Sequence, residues 1–260
     1  RNRLNTPEFF IRKNYLNKFN SRLKKIKGKS KKFDYIVNQK YLIINGIKMI
    51  NAPIIIDKIL KNNNLLSKLE PPFISLFHGD FRLGNILIDN KTKKFIFIDP
   101  RGTTPSGESC SDPFEDLAKL IATCEANYDL TEHRKLNINI ENKGITEINI
   151  SVNKDYKELS ELFNDIPTLV LDSIKKRFST KQFKFWEMRL EFLRGILLLA
   201  LAPYKLLSDN NEDTCMILYV KGVEILNKCI NKNPVLNQKI YNLININNSS
   251  DIKRAKLIFS

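Results

Sequence analysis

The stretch FISLFHGDFRLGNILIDNKTKKFIFIDPRG, residues 73 to 102, decides how the chain is read. Phe73 to Phe77 is an apolar run, expected as a buried strand, that leads straight into His78-Gly79-Asp80. Asn85 follows five positions after Asp80. Asn85 to Asp89 and Lys94 to Asp99 then frame Asn90-Lys91-Thr92 as a hairpin. The return strand carries Asp99 back beside Asn85. A carboxylate, a carboxamide and a second carboxylate are thereby expected at one end of a small sheet. Hard oxygen donors in this number suit Mg²⁺, which takes one or two carboxylates and completes its shell with water and substrate phosphates. The remaining carboxylate can take a proton from an attacking hydroxyl. An Asp, an amide five residues on and a later metal-holding Asp form the layout of phosphoryl transfer.

Helical patterns dominate on either side. Thr6-Pro7-Glu8 reads as a helix cap with Pro in the first turn, and Ile11, Tyr15, Leu16, Phe19, Leu23 and Ile26 make an apolar stripe that ends at Gly28. Asn45-Gly46, between YLII and IKMI, predicts a hairpin over Tyr41 to Ile50. A helix over about 53–68 is stopped by Pro71-Pro72. After a polar loop from Gly102 to Ser111, a helix is expected from Asp112-Pro113, with Leu117, Leu120, Ile121 and Cys124 on its apolar face. Within that loop, Ser106-Gly107-Glu108-Ser109 reads as a mobile segment rather than a phosphate cradle. Lys135 to Ile140 and Ile145 to Val152 alternate around Asn142-Lys143-Gly144, a hairpin insertion over about 134–152. Helices are expected over 155–164, 167–178, 181–203 and 212–231, and 235–260 is a weakly patterned tail. With no repeat and no linker, residues 1–260 read as one α+β, mostly helical domain around a core at 73–129.

The composition is that of a globular body, 42% hydrophobic and 27% charged. A net charge of +15 points to polyanionic or phosphorylated partners. The densest basic run, Arg22 to Lys32, reads as a solvated helix end followed by a mobile loop. Without aromatic interleaving or a helix-turn-helix pattern, nucleic acid is not the expected partner. Cys110, Cys124, Cys215 and Cys229 form no CxxC pair, and only His78 and His133 could assist them, so the cysteines read as core residues in a reducing, cytoplasmic compartment. No apolar window is long enough for a membrane span, and no signal-peptide pattern opens the chain.

His78-Gly79-Asp80, Asn85 and Ile98-Asp99 together resemble the catalytic core of aminoglycoside phosphotransferase and choline-kinase-like enzymes, which share the protein-kinase-like fold. The longer set HGD…NIL…IDPRG…DPFEDLAKL is most similar to the phosphotransferase-type domains of bacterial capsular and surface-polysaccharide biosynthesis proteins. The motifs span residues 73 to about 129, and the flanking helices agree with the C-terminal lobe of that fold. The resemblance implies that Asp80 is the catalytic base and that Asn85 and Asp99 bind Mg²⁺ and, through it, the phosphates of ATP or GTP. It gives Arg82 a place near the transferred phosphate, His78 a place packed beneath the loop, and Asp116 the task of bracing the loop from the start of a helix. Arg101, in the IDPRG variant, receives no role.

The function implied is transfer of the γ-phosphate to a hydroxyl of a small molecule, a sugar or polysaccharide precursor. A strongly basic chain is more comfortable with a neutral or anionic acceptor than with a cationic one. Enzymes of this type also carry an N-terminal lobe, a twisted sheet with a phosphate-orienting lysine. No Gly-rich loop followed by a strand lysine precedes residue 78. With Arg1 as its first residue, the chain is expected to be a piece of a longer protein whose upstream lobe or fused domain lies outside it. The competing function is a catalytically silent kinase-like module that binds a nucleotide or a partner protein.

Overall fold

Asn45 and Gly46 both take positive φ, 48° and 80°, as a type I′ turn requires, and the expected hairpin forms as β1, Tyr41–Ile44, and β2, Ile47–Ile50. The computed structural model describes residues 5, 8–101, 109–142, 146–178 and 185–232. Upstream of the hairpin, a π-helical turn, Arg12–Leu16, runs into α1, Asn17–Ile26, and Gly28 follows at φ 83°. The expected cap at Thr6-Pro7 lies outside the described residues. The basic run leaves its helix after Ile26 and passes through a turn over 27–30, as expected, and departs from expectation only at Lys31 and Lys32, which open a further helix. Ser30 accepts a hydrogen bond from the Phe33 N–H at 2.9 Å and starts α2, Lys31–Asn38. Phe33 and Ile36, one turn apart, are buried there, and that burial outweighs the lysines beside them.

The helix expected over 53–68 is two helices, α3, Ala52–Leu60, and α4, Asn63–Leu69. Asn62 accepts from the Leu65 N–H at 3.0 Å, so a side-chain cap inside the stretch restarts the helix. Four short strands follow in chain order, interrupted by the loop that carries Asp80: β3, Ser75–Leu76, β4, Ile86–Ile88, β5, Phe95–Phe97, and β6, Cys110–Ser111. β3 pairs with β6, and β4 pairs with β5 with Ile86 opposite Phe97. Phe73 to Phe77 is therefore not a buried strand. Only two of its residues pair, and Leu76 is 74% exposed because its one neighbour is an equally short strand.

Next come α5, Glu115–Glu125, and α6, Tyr128–Glu132, then β7, Leu136–Asn142, and β8, Thr146–Val152. The hairpin of β7 and β8 is more than an insertion. β8 also pairs in parallel with β1, Ile43 opposite Glu147, and closes a sheet of order β2-β1-β8-β7. Its turn residues Lys143 and Gly144, like the loop residues 102–108 and the tail from 233, lie outside the described residues.

One helix, α7, Lys157–Phe178, replaces the two expected over 155–178 and passes through Pro167. A helical proline forfeits one hydrogen bond, and here the Pro167 ring is buried. α8, Trp186–Asp209, begins later than expected and continues through Pro203, and α9, Glu212–Lys232, follows the expected bounds closely.

α8 and α9 form the largest helix pair, and they cross at two glycines. A Cβ on Gly222 would lie 2.7 Å from Leu199 and 3.1 Å from the Gly195 carbonyl, while one on Gly195 would lie 2.7 Å from Leu226. Gly222→Ala is expected to destabilise the protein by about 1–3 kcal/mol through overpacking, read by urea or thermal unfolding. Unchanged unfolding would mean that the two helices can part freely. α8 also carries buried cations that face acidic partners upstream. Arg189 lies against Asp112, Arg194 against Glu125 and Lys205 against Glu132. All four cysteines are buried, as core residues should be. Among the described residues no helix is long and apolar enough to cross a membrane. The fold is α+β and mostly helical, as the patterns required.

Candidate functional site

The loop between β3 and β4 is fastened by its backbone. Both carboxylate oxygens of Asp116, in the first turn of α5, accept from it, one from the His78 N–H at 2.7 Å and the other from the Gly79 N–H at 2.9 Å. Gly79 takes φ 80°, and a Cβ there would lie 2.8 Å from the Phe77 ring and 3.0 Å from the Arg101 Cβ, so only glycine fits the turn. His78 Nδ1 accepts from the Asp80 N–H at 3.3 Å, which places the proton of the neutral ring on Nε2. Phe81 links the loop to the hairpin of β4 and β5, with edge contacts to His78 and Phe97 at centroid distances of 5.7 and 5.2 Å.

Asn85 closes the loop behind Asp80. Its Nδ2 donates to the Asp80 carbonyl at 2.8 Å and lies 3.4 Å from Oδ2 of the same residue. A carbonyl can only accept, so the amide orientation is determined and Oδ1 is turned away from Asp80. The Ile98 N–H donates to the Asn85 carbonyl at 3.0 Å, and the Arg101 N–H donates to the His78 carbonyl at 2.7 Å. Between these two bonds Asp99 takes φ 57°, a left-handed conformation that aspartate tolerates better than most residues. The chain thus brings Asp80, Asn85 and Asp99 to one end of the β4–β5 hairpin, with Asp99 exposed and the other two buried.

The Asp80 carboxylate is held by cations. Lys119 Nζ lies 3.0 Å from Oδ1, Arg101 lies 3.4 Å from Oδ2, and Arg82 Nε lies 3.9 Å from Oδ2. Burial alone would raise the Asp80 pKa; Lys119, Arg101 and Arg82 outweigh it and hold the carboxyl below its usual range. Lys119 is pulled down by its own burial, with Asp80 opposing that pull. Arg82 is shared, since its Nη1 lies 3.4 Å from Asp129 and its guanidinium sits 5.5 Å from the Tyr128 ring. Lys119 and Arg101 are therefore the nearer cations, and sequence reasoning assigned neither of them to the site. The signal for Lys119 was there: it stands three residues after Asp116, on the same face of a helix, between buried Ala118 and Leu120.

Among the described residues no three His, Cys, Asp or Glu side chains gather as a metal cage. Asn85 Oδ1, turned away from Asp80, and the exposed Asp99 carboxylate at the same end of the hairpin are instead the number of oxygen donors that suits an Mg²⁺ held largely by water and phosphate. The donor set fits that ion. Residues 86 to 97 add an apolar surface, with Leu87, Ile88, Phe95, Ile96 and Phe97 each about half exposed or more.

Compared with models of known families, with characterised proteins and with solved structures, the chain matches none.

Proposed function

We propose that the chain is the C-terminal lobe of a cytoplasmic, Mg²⁺-dependent phosphotransferase of protein-kinase-like type, moving the γ-phosphate of ATP or GTP to a hydroxyl of a small molecule, a sugar or a surface-polysaccharide precursor. The convergence of Asp80, Asn85 and Asp99 at one end of a short hairpin carries this reading. Asn85 and Asp99 would hold Mg²⁺, which supplies charge neutralisation on the phosphate oxygens. Asp80, ionised at neutral pH, accepts the proton of the acceptor hydroxyl. Asp116 and His78 fix the loop so that this carboxylate is aimed, and Arg101 and Lys119 orient it. Arg82, engaged by Asp129 and Tyr128, stands further from Asp80 as a source of positive charge for the transferred group. The exposed apolar hairpin supports the same reading, because a surface of that kind is suited to the flat face of a nucleotide base, completed by an upstream lobe.

One observation favours a second reading. A carboxylate already paired with Lys119 and Arg101 is a weak proton acceptor, as a silent nucleotide-binding module would have. Binding tests the site in either case. ATP and GTP are titrated, with and without Mg²⁺, into the protein and its Asp99→Asn variant. The nucleotide with Mg²⁺ at about a hundredfold over its dissociation constant is expected to raise the melting temperature by about 5–10 °C in the wild type and not in Asp99→Asn. Equal shifts in both proteins, or none in the wild type, would overturn the metal–nucleotide site.

A further inference from the structure

The +15 charge is not spread evenly around Asp80. α1 presents Lys18, Arg22 and Lys25 at helical spacing along one face, and this face forms one wall of an open groove of about 530 Å³. Phe77, Gly79 and Arg101 form the opposite wall, and Lys13 joins from the π-helical turn. Among the described residues, five cations line the groove against one carboxylate, Glu115. That carboxylate is engaged elsewhere, accepting hydrogen bonds from the hydroxyls of Tyr15 and Ser111.

Among the described residues neither Lys18 nor Arg22 forms an ion pair. Arg22 is nonetheless held in place, donating to the Ala200 carbonyl and lying 5.2 Å over the Tyr204 ring. Arg101 is fixed at the backbone by its bond to His78, and its guanidinium reaches Asp80 at 3.4 Å. The groove therefore opens beside the carboxylate that would receive the hydroxyl proton. A set of mutually repelling, partly desolvated cations held by the fold is an anion site in waiting, because a bound anion relieves the repulsion.

We propose that this groove binds a phosphate group, and that the group belongs to the acceptor, so that the substrate is a phosphorylated hydroxyl compound whose anionic end docks on Lys18, Arg22 and Arg101 while its hydroxyl meets Asp80. This rests on Asp80 acting as the base; the groove's affinity for phosphate does not. Burial brings Lys18 down to about 8, with Arg22, Lys119 and Arg101 pushing the same way and Glu115 opposing them. A group with a lowered pKa carries its charge below that value and loses it above, so anion binding weakens as the pH rises through this range.

Inorganic phosphate is titrated calorimetrically into the full chain, into Lys18→Gln, and into Lys31→Gln, an exposed lysine of α2 that is not among the residues lining the groove. Lys18→Gln is expected to bind phosphate about tenfold more weakly, with Lys31→Gln unchanged. Sulfate, dianionic throughout, is expected to bind more weakly at about pH 9.5 than at about pH 7 in the wild type, and this pH dependence is expected to flatten in Lys18→Gln. No phosphate binding in the wild type, or equal losses in the two variants, would overturn the groove as a site. The Mg²⁺–nucleotide melting shift separates the sources of the phosphate. If Lys18→Gln keeps that shift, the groove serves the acceptor; if it loses the shift and ATP displaces phosphate, the groove holds the nucleotide and the acceptor assignment is overturned. Lys18-dependent phosphate binding in a protein with no nucleotide response would sustain the groove as a phosphate site and overturn the phosphotransferase reading instead.

Discussion

Asp80→Asn is expected to slow phosphoryl transfer by about 10²–10⁴-fold while leaving the Mg²⁺-dependent nucleotide response intact. The amide keeps the shape of the side chain, but its single oxygen can accept on the Lys119 side or on the Arg101 side and not on both, and it cannot take the hydroxyl proton. Charge complicates the variant, because Lys119 has 12% of its side chain exposed and Asp80 is its nearest anion. Removing that anion leaves the ammonium poorly compensated, and it answers by losing its proton more readily or by destabilising the fold. Asp80→Asn/Lys119→Met removes both charges together. It is expected to unfold closer to the wild-type midpoint than Asp80→Asn does, and to remain as inactive. Restored transfer in the double variant would remove Asp80 from the role of base. Loss of activity in both variants, with nucleotide binding unchanged and the melting temperature of Asp80→Asn/Lys119→Met near that of the wild type, is the result that separates the enzyme from a silent module.

Arg189→Ala is expected to destabilise the protein by about 3–5 kcal/mol, or roughly 6–20 °C in melting temperature, without touching the site. Asp112 and Arg189 are each 1% exposed, with Arg189 Nε 2.8 Å from Asp112 Oδ2. The Phe114 N–H donates to the other Asp112 oxygen at 2.8 Å, and the guanidinium lies 5.0 Å from the Phe114 ring, which stacks on Trp186. Burial pushes the Asp112 carboxyl up to about 6 despite its arginine. With a folded-state pKa above the ordinary 3.8, the stabilising contribution of this group is complete below about pH 4 and lost as the pH rises through 6. Taking away the cation moves that loss to higher pH. The deficit of Arg189→Ala against the wild type is therefore expected to be smallest near pH 5 and to widen toward pH 8, and Asp112→Asn in the same chain should recover part of it. A deficit that does not vary with pH would assign the effect to lost packing on Phe114 rather than to the stranded charge.

Much of the local structure was written in neighbouring residues. Asn45-Gly46 determines a turn because both residues accept positive φ, and the α1 stripe determines a helix because its apolar side chains recur on one face. The departures arose where a distant surface intervened. The burial of Phe33 and Ile36 behind the Ser30 cap made helix of Lys31 and Lys32, the last two residues of the basic run. α7 runs through Pro167, buried in the fold, although proline ordinarily ends a helix.

The candidate site divides in the same way. The order of Asp80, Asn85 and Asp99 and the hairpin between the last two can be read along the chain, since five residues and one turn are enough to bring them together. Which charges surround Asp80 cannot. Lys119 reaches it from α5, and the cations of α1 come beside it from the N-terminal end of the described chain. The composition reports the sum of the charges and never where they gather. Ion pairs and anion grooves depend on through-space distances of a few ångströms between helices far apart in sequence, and packing alone sets those distances.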